Sequence, residues 1–430
     1  MFPAPHDALP LPAHPSLDQY RKLAKELLRI AKFGDESALA TWAKSWVANL
    51  VRLSALTLTG EMPVRIEWWI AQVEQFARIT LAGASSKPPT LARAQFVFAR
   101  LQGFASWPEF AKHLDGLAHS GTATSSFESA ADAIVEGDAE SVSRMLRENL
   151  SLARARSTRE HRATLLHYVA ANGIEGWRQR TAKNAVEIAG ILLDAGAEVD
   201  AAADIYGGGA TTLGLVATSV HPDRAGVQIA LLQLLLDRGA RIDRPGIAGS
   251  AHSLIKACFA NGRGQAAEFL SHHVPALDLE EAAGAGHLDG VRSFFNPDGT
   301  LKASATQEQL RYGLFWACQF GRNRVVEYLL SLGFDLGMHD GNGQTALHHA
   351  VIGAQLETVR LLLKHGAPLE VKNGYGGTVL GQAVWSTTNA ASPKAWLPII
   401  ELLLESGAKV EAEFEDVLAG LMRRDPRKPG

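Results

Sequence analysis

Apolar residues recur along this chain at helical spacing rather than in the alternation of strands. Leu17, Tyr20, Leu23, Leu27 and Ile30 fall every third or fourth position, which predicts an amphipathic helix over 15–34. Ser16 at its start, Gln19 three residues on and Gly34 at its end are start and stop signals. The same periodicity predicts helices over 36–53, 62–82 and 90–102. A further helix is expected over 104–117, "FASWPEFAKHLDGL", with Ser106 as cap, Pro108 in the first turn, and Trp107 as a core anchor beside Phe104 and Phe110. Residues 16–120 thus read as a helical unit behind a proline-rich lead, residues 1–15. No run of 18 apolar residues exists, so no membrane-spanning helix is expected.

Beyond residue 120 the pattern repeats. "ILLDAGAEVDA", "LLLDRGARIDR", "YLLSLGFDLGM", "LLLKHGAPLEV" and "LLLESGAKVEA" each carry an apolar helical face and then a glycine: Gly196, Gly239, Gly333, Gly366 and Gly407. Glycine just past a helix takes the left-handed conformation without a Cβ penalty. A second phrase precedes the first: "ATLLHYVAANG", "ATTLGLVATSV", "GQTALHHAVIG" and "GTVLGQAVWST". Here threonine starts a helix whose next turn carries small residues. From Gly333 to Gly366 the period is 33 residues, the length of a unit built from turn, short helix, longer helix and extended finger.

This unit resembles the ankyrin repeat, and "GQTALHHA" stands where that family has Thr-Pro-Leu-His-x-Ala. Eight units of varying quality are expected, beginning near 128, 159, 205, 247, 277, 307, 340 and 373, over about two thirds of the chain. "LPAHPSLDQYRKLAKELLR" and "LARAQFVFARLQGFASWPEFAKHL" resemble an N-terminal helical module of bacterial ankyrin-repeat proteins, with GFxSWPxxxxH the most distinctive phrase. That resemblance implies a two-part architecture and a bacterial origin. The expected fold is all-α: an ankyrin-repeat solenoid of helix-turn-helix units with short finger hairpins (128–413), capped by the N-terminal helical domain (16–120). A C-terminal capping helix and basic tail (414–430) follow. A repeat array needs such caps over its open apolar ends.

Three units depart from the spacing. His348 and Gly366 are 18 residues apart, whereas His167 to Gly196 spans 29. The extra residues, "IEGWRQRTAKN", "HPDRAGV" and "TTNAASPKAW", all follow the first helix of their unit. They read as either a binding face or tolerated length in exposed turns. Trp177 and Trp396 are costly residues to leave in water.

Composition and chemistry narrow the function. The chain is 47% hydrophobic and 20% charged, with net charge −3, so no polyanion partner is indicated and no nucleic acid is expected. Cys258 and Cys318, 60 residues apart, form no disulfide framework or zinc spacing and read as packing thiols. The lead lacks a charged n-region, which argues against a secretory signal. A soluble, cytoplasmic setting is expected. His348 and His349 point about 100° apart on a helix, so they do not face one metal, and neither a metal nor another cofactor is expected. The resemblance implies that Thr345 with His348, and Thr164 with His167, are structural: the ring bridges the threonine hydroxyl and backbone of the next finger. "DIYGGGATTLG" has no Lys-Ser/Thr after its glycines, so it reads as turn material rather than a phosphate cradle.

Ankyrin proteins recognise partners with finger tips and the exposed side of the first helix. Carried onto this chain, those places are Asn342, Gln344 and Ile352; Arg311, Gln319 and Phe320; and Tyr375, Trp385 and Ser386. The expected function is a non-catalytic protein–protein interaction scaffold that binds a macromolecule on this concave surface. The alternative is an enzyme or small-ligand binder with a pocket between the helical cap and the array or at the insertions. The units over 247–306 are the most degenerate, so amide hydrogen exchange there should be faster than over 340–410. Equal protection of the two stretches would contradict this.

Overall fold

The computed structural model describes residues 2–35, 37–54, 62–83, 88–242, 253–389 and 393–423. The expected unit start near 247, residues 390–392 of the third insertion and the basic stretch beyond 423 lie outside them. The chain divides into two compact units, Met1–Leu254 and Ile255–Gly430. Among the described residues the elements are helical, and the fingers close through single antiparallel bridges such as Arg156 with Thr164 and His339 with Thr345.

The first unit opens with α1 (Leu17–Phe33), α2 (Ala38–Leu53), α3 (Met62–Ala82), α4 (Leu91–Leu101) and α5 (Trp107–Leu117). Their buried faces share one core containing Tyr20, Leu27, Trp42, Trp46, Trp69, Phe98, Phe104 and Phe110. Thr90 and Ser106 cap α4 and α5 by accepting from the amides of Arg93 and Glu109. Ser16 occupies the N-cap position of α1, but its hydroxyl makes no capping bond. Gly34 ends α1 at φ −75°, in extended backbone. A Cβ there would stand 2.6 Å from both the Ala38 Cβ and the Ile30 carbonyl oxygen. Glycine is therefore required by the close approach of α1 and α2, not by a left-handed turn.

The lead is packed rather than trailing. Ala8 and Leu9 are fully buried, and the amides of Leu9 and Ala13 donate to the carbonyls of Leu101 and Leu53. Phe2 sets its ring edge-on against Trp68 and Phe76. The GFxSWPxxxxH phrase marks a seam. The Gly103 carbonyl accepts from Glu160 N–H at 2.9 Å, His113 Nδ1 lies 2.7 Å from the Thr158 hydroxyl, and Arg100 pairs with Glu160.

Repeats in this unit are α6 (Ala123–Glu136) with α7 (Ala139–Glu148), a 3-10 turn (Leu165–Ala170) with α8 (Ala185–Asp194), and α9 (Thr212–Thr218) with α10 (Val220–Arg224) and α11 (Gln228–Asp237). The first pair starts at Ala123, five residues before the expected 128, because Thr122 caps it by accepting from Ser125 N–H. In the second unit the pairs are α12 (Leu254–Ala260) with α13 (Gly264–Ser271), α14 (Leu279–Ala285) with α15 (Leu288–Ser293), α16 (Gln307–Gln319) with α17 (Asn323–Ser331), α18 (Ala346–Ile352) with α19 (Leu356–Lys364), and α20 (Val379–Asn389) with α21 (Leu397–Glu405); α22 (Glu415–Arg423) follows. One core joins Leu279 through Leu418. Gly196, Gly239, Gly333, Gly366 and Gly407 all have left-handed φ, from 78° to 92°. Cys258 and Cys318 are fully buried, and burial pushes both thiols up in pKa.

Neighbouring repeats satisfy one another's backbone. His348 Nδ1 accepts from Thr345 N–H at 3.2 Å, which leaves Nε2 to donate to the Gly377 carbonyl of the next finger at 3.4 Å. His167 makes the same bridge from Thr164 N–H, 3.1 Å, to the Ala210 carbonyl, 3.2 Å. The insertions act similarly. Trp396 Nε1 donates to the Val351 carbonyl at 2.7 Å, and Arg180 Nε to Val135 at 3.3 Å. Both acceptors are the penultimate residues of the preceding repeat's first helix, where the carbonyls lack intrahelical partners. Gln228 Nε2 in turn covers the carbonyls of Val216, Ala217 and Ser219.

Burial holds His167 and His348 at pKa about 4 and His113 at about 3, against an ordinary 6.5. The unfolded chain therefore takes up these protons first, so stability is complete above pH 6.5 and falls as pH drops toward 4. Each histidine contributes about 1.4 kcal/mol per pH unit across that window. Urea unfolding between pH 7 and 5 should show this slope, reduced in His167→Asn and His348→Asn. A pH-independent midpoint would contradict it.

Candidate functional site

The finger tips of the last repeats are rigidly built. Asp340 Oδ1 accepts from the amides of Asn342 and Gln344, at 2.8 and 2.9 Å, and Asn373 Oδ1 accepts from those of Tyr375 and Gly377, both at 3.0 Å. Asp340 and Asn373 occupy the same place one period apart, and each folds its own turn with its side chain. Gly374 N–H donates to the Asn342 carbonyl at 2.6 Å and joins the two tips. A Cβ on Gly374 would meet that carbonyl at 3.0 Å, so the close approach favours glycine.

This framework brings four of the nine expected recognition residues into one groove. Gln344, Ile352, Tyr375 and Trp385 line a concavity of about 1240 Å³, closed at one side by Glu411, Ala412 and Phe414. Tyr375 is 84% exposed and Trp385 59%, although both are aromatic. The charged groups at the wall, Lys372 and Glu411, are paired at 3.0 Å. The groove is thus apolar and aromatic with amide groups from Gln344, Asn373 and Gln382. Gly381 stands where His348 stands one repeat earlier, and its amide keeps the bond to Thr378, 3.2 Å. A side chain there would press on Phe414, whose ring lies 3.0 Å from the ideal Cβ position.

The other expected contact residues are differently employed. Gln319 accepts from His349 Nδ1 at 2.9 Å, and His349 also reaches Asp340 Oδ2, 3.2 Å, while stacking on Phe315. Burial alone would raise the Asp340 carboxyl, but the bonds from His349 and the tip amides hold it below its usual range. Phe320 packs against Phe259 and Trp316 and covers Gly264. Ser386 is buried and accepts from Gln382. Gln319 and Phe320 are thus engaged by neighbouring repeats and Ser386 by Gln382 of its own helix, and none of the three lines the groove. Arg311 lies over the Tyr312 ring at 5.2 Å, and Asn342 is exposed at its tip; neither lines the groove.

A second concentration of chemistry lies in the first unit, and nothing in the local sequence announced it. The first insertion contributes Glu175 and Arg178, the second finger Arg159 and His161, and α6 Glu128 and Asp132. Arg159 and Arg178 both bind Glu128 and Glu175, and Arg178 also binds Asp132 at 2.7 Å. Glu175 Oε1 receives His161 at 3.2 Å and the Tyr168 hydroxyl at 3.1 Å as well. Trp177 lies beneath both guanidinium groups, at 5.5 and 5.8 Å. Burial opposes ionisation of Glu175, but Arg159, His161 and Arg178 outweigh it and hold the carboxyl well below its ordinary range. Burial raises Asp132. A cleft of about 400 Å³ reaches this cluster beside Pro10, Pro12 and Pro15. Its charges are largely committed to one another, although two buried atoms, Arg159 Nε and Glu175 Oε2, have no hydrogen-bond partner. Among the described residues no cluster of histidine, cysteine or acid side chains has a metal-holding arrangement.

Glycine-ended helix pairs, threonine starts and bridging histidines define a helical repeat protein. Residues 314–413 match the family of ankyrin repeats, in three copies. Similar proteins include an ADP-ribosylation factor GTPase-activating protein of Arabidopsis thaliana, 37% identical over 68 residues. The ankyrin repeat and KH domain-containing protein mask-1 of Caenorhabditis elegans is 29% identical over 138 residues, and the mouse ankyrin repeat and SOCS box protein 11 is 31% identical over 109. These stretches cover 16%, 32% and 25% of this chain, but only 9%, 5% and 33% of those proteins. The solved human ASB11 ankyrin repeat domain aligns over 66% of this chain and 99% of its own, with 20% identity and a TM-score of 0.33.

Removing one partner of a buried ion pair leaves the others uncompensated, at a cost of about 3–5 kcal/mol. Glu175→Gln should therefore destabilise the first unit by several kcal/mol in denaturant unfolding. A loss within the error of the measurement would show that the network is not a structural lock.

Proposed function

We propose that the protein is an interaction scaffold whose ankyrin repeats hold a protein partner, and that the contact surface is the groove of Gln344, Ile352, Tyr375 and Trp385. The observation carrying this reading is that two aromatic side chains from successive elements stand exposed around one apolar concavity. Leaving rings of that size in water forfeits roughly 25 cal/mol for each Å² of apolar surface. Tyrosine and tryptophan at the centre of a contact surface are also the types that dominate binding energy. The Asn373 turn fixes Tyr375 before any partner arrives, which lowers the ordering cost of association. The mutual neutralisation of Lys372 and Glu411 favours an occupant without strong charge at that wall.

The test is a selection of peptides from a random display library on the full chain, followed by affinity measurement. Tyr375→Ala and Trp385→Ala should each weaken the selected peptides by about 2 kcal/mol, roughly thirtyfold, without changing the unfolding midpoint. Arg311→Ala and Asn342→Ala should leave them within threefold. Peptides that bind the Tyr375→Ala/Trp385→Ala double variant as well as wild type would remove the groove from contention.

A further inference from the structure

Two finger tips carry nearly the same phrase, and the chain itself covers only one of them. "DIYGG" (204–208) in the first unit and "NGYGG" (373–377) in the second each place a tyrosine two residues after Asp or Asn and before two glycines. In the first unit the Tyr206 hydroxyl donates to Asn172 Oδ1 at 2.6 Å, and the His6 ring lies 5.5 Å from the tyrosine ring. His6 belongs to the proline-rich lead, whose Pro10, Pro12 and Pro15 line one cleft with Trp177. The chain thus lays a proline-rich segment of its own against a tip tyrosine and a tryptophan. Tyr375 has neither contact. The place of Asn172, eight residues after the helix-starting threonine, is held by Gly353, where a Cβ would overlap the Gln319 carbonyl. No side chain fits there to hold the tyrosine down. Among the described residues the Tyr375 hydroxyl has no hydrogen-bond partner, and the residue is 84% exposed against 48% for Tyr206.

Taking that groove as the contact surface, on which the assignment rests, we infer that its occupant is an extended, proline-rich peptide. Its proline rings pack between Tyr375 and Trp385, and its carbonyls accept from the Tyr375 hydroxyl and the Gln344 side-chain amide. Both donors are open to solvent on the groove lining, Tyr375 largely and Gln344 partly. The charged groups among the described lining residues are Lys372 and Glu411, which pair with each other at 3.0 Å. The groove thus offers aromatic faces and neutral donors. A proline-rich chain is the complement: it cannot bond its carbonyls internally, and its prolines bring no N–H that would need an acceptor. A helical peptide has most of its carbonyls already satisfied. A strand needs a sheet edge, and among the described residues the fingers pair only through isolated bridges. A chain stiffened by proline also loses little freedom on binding, which is why aromatic grooves hold such segments.

Selection on the full chain from two displayed peptide libraries tests the assignment, one with a fixed Pro-x-x-Pro core and one from which proline is excluded. The first should yield binders that weaken about tenfold or more against Tyr375→Ala/Trp385→Ala. The same peptides should weaken by about tenfold when both prolines are replaced by alanine. Gln344→Leu should weaken them about threefold or more without moving the unfolding midpoint. Groove-dependent binders of equal affinity from the proline-free library, or alanine-substituted peptides that bind equally well, overturn the proline assignment and leave the groove standing as a contact surface. Affinity unchanged in Gln344→Leu overturns the donor assignment. If neither library yields a binder that responds to the double variant, the groove fails as a contact surface and the proline assignment fails with it.

Discussion

Short helices have backbone carbonyls that they cannot satisfy alone, and that constraint organises both units. A seven-residue helix such as α18, Ala346–Ile352, has more terminal groups without an intrahelical partner than internal bonds. No residue within the repeat can cover them all. The indole of Trp396 and the guanidinium of Arg180 reach across to helix ends, and the rings of His167 and His348 do the same for carbonyls of the next finger. Each bond contributes only about 1 kcal/mol net, but each is made between repeats, where it fixes register as well as energy. Burial is what makes the histidines effective. It keeps them neutral, so one nitrogen accepts and the other donates.

The groove arises where this exchange stops. His348 has a following finger whose Gly377 carbonyl it can reach; Gly381, at the corresponding place, faces Phe414 and Glu411 instead. Without a ring at that position the 412–414 turn settles close to α20 and forms a wall. Tyr375 and Trp385 then remain exposed at the opposite side. The same repeat position thus bridges to the next finger where it is histidine and lies against the 412–414 turn where it is glycine.

Much of the repeat architecture was legible because it depends on local rules. Glycines at helix ends need left-handed φ, threonines cap, and a histidine three residues on closes the box; these signals survive in isolation. The N-terminal helices were equally readable from their apolar stripes. Contact assignments were harder, because a helix position becomes free or occupied only through its neighbour. Gln319 reads as surface, and the bond of its oxygen to His349 of the next repeat is visible only in the fold. The doublet of histidines with Asp340 nine residues earlier was the available signal for it. Glu128 and Arg178 are 50 residues apart, and only an insertion carrying a tryptophan hinted that something was being packed there.

The insertions show how length can be stabilised rather than tolerated. An exposed loop costs little in closure entropy, so added residues could have remained solvated. Instead the first insertion places Trp177 under two arginines and sends Arg180 to a helix end, and the third sends Trp396 to the equivalent end. The two solutions differ in polarity because their surroundings differ. Around Val351 the neighbours are apolar, and one indole donor suffices. Beside α6 the neighbour is Glu128, a buried carboxylate that must be matched in charge. One acid at that position therefore accounts for Arg159 and Arg178, and these in turn require Glu175. A single polar residue in a repeat's first helix thus recruits a network, whereas an apolar one needs only a hydrogen bond.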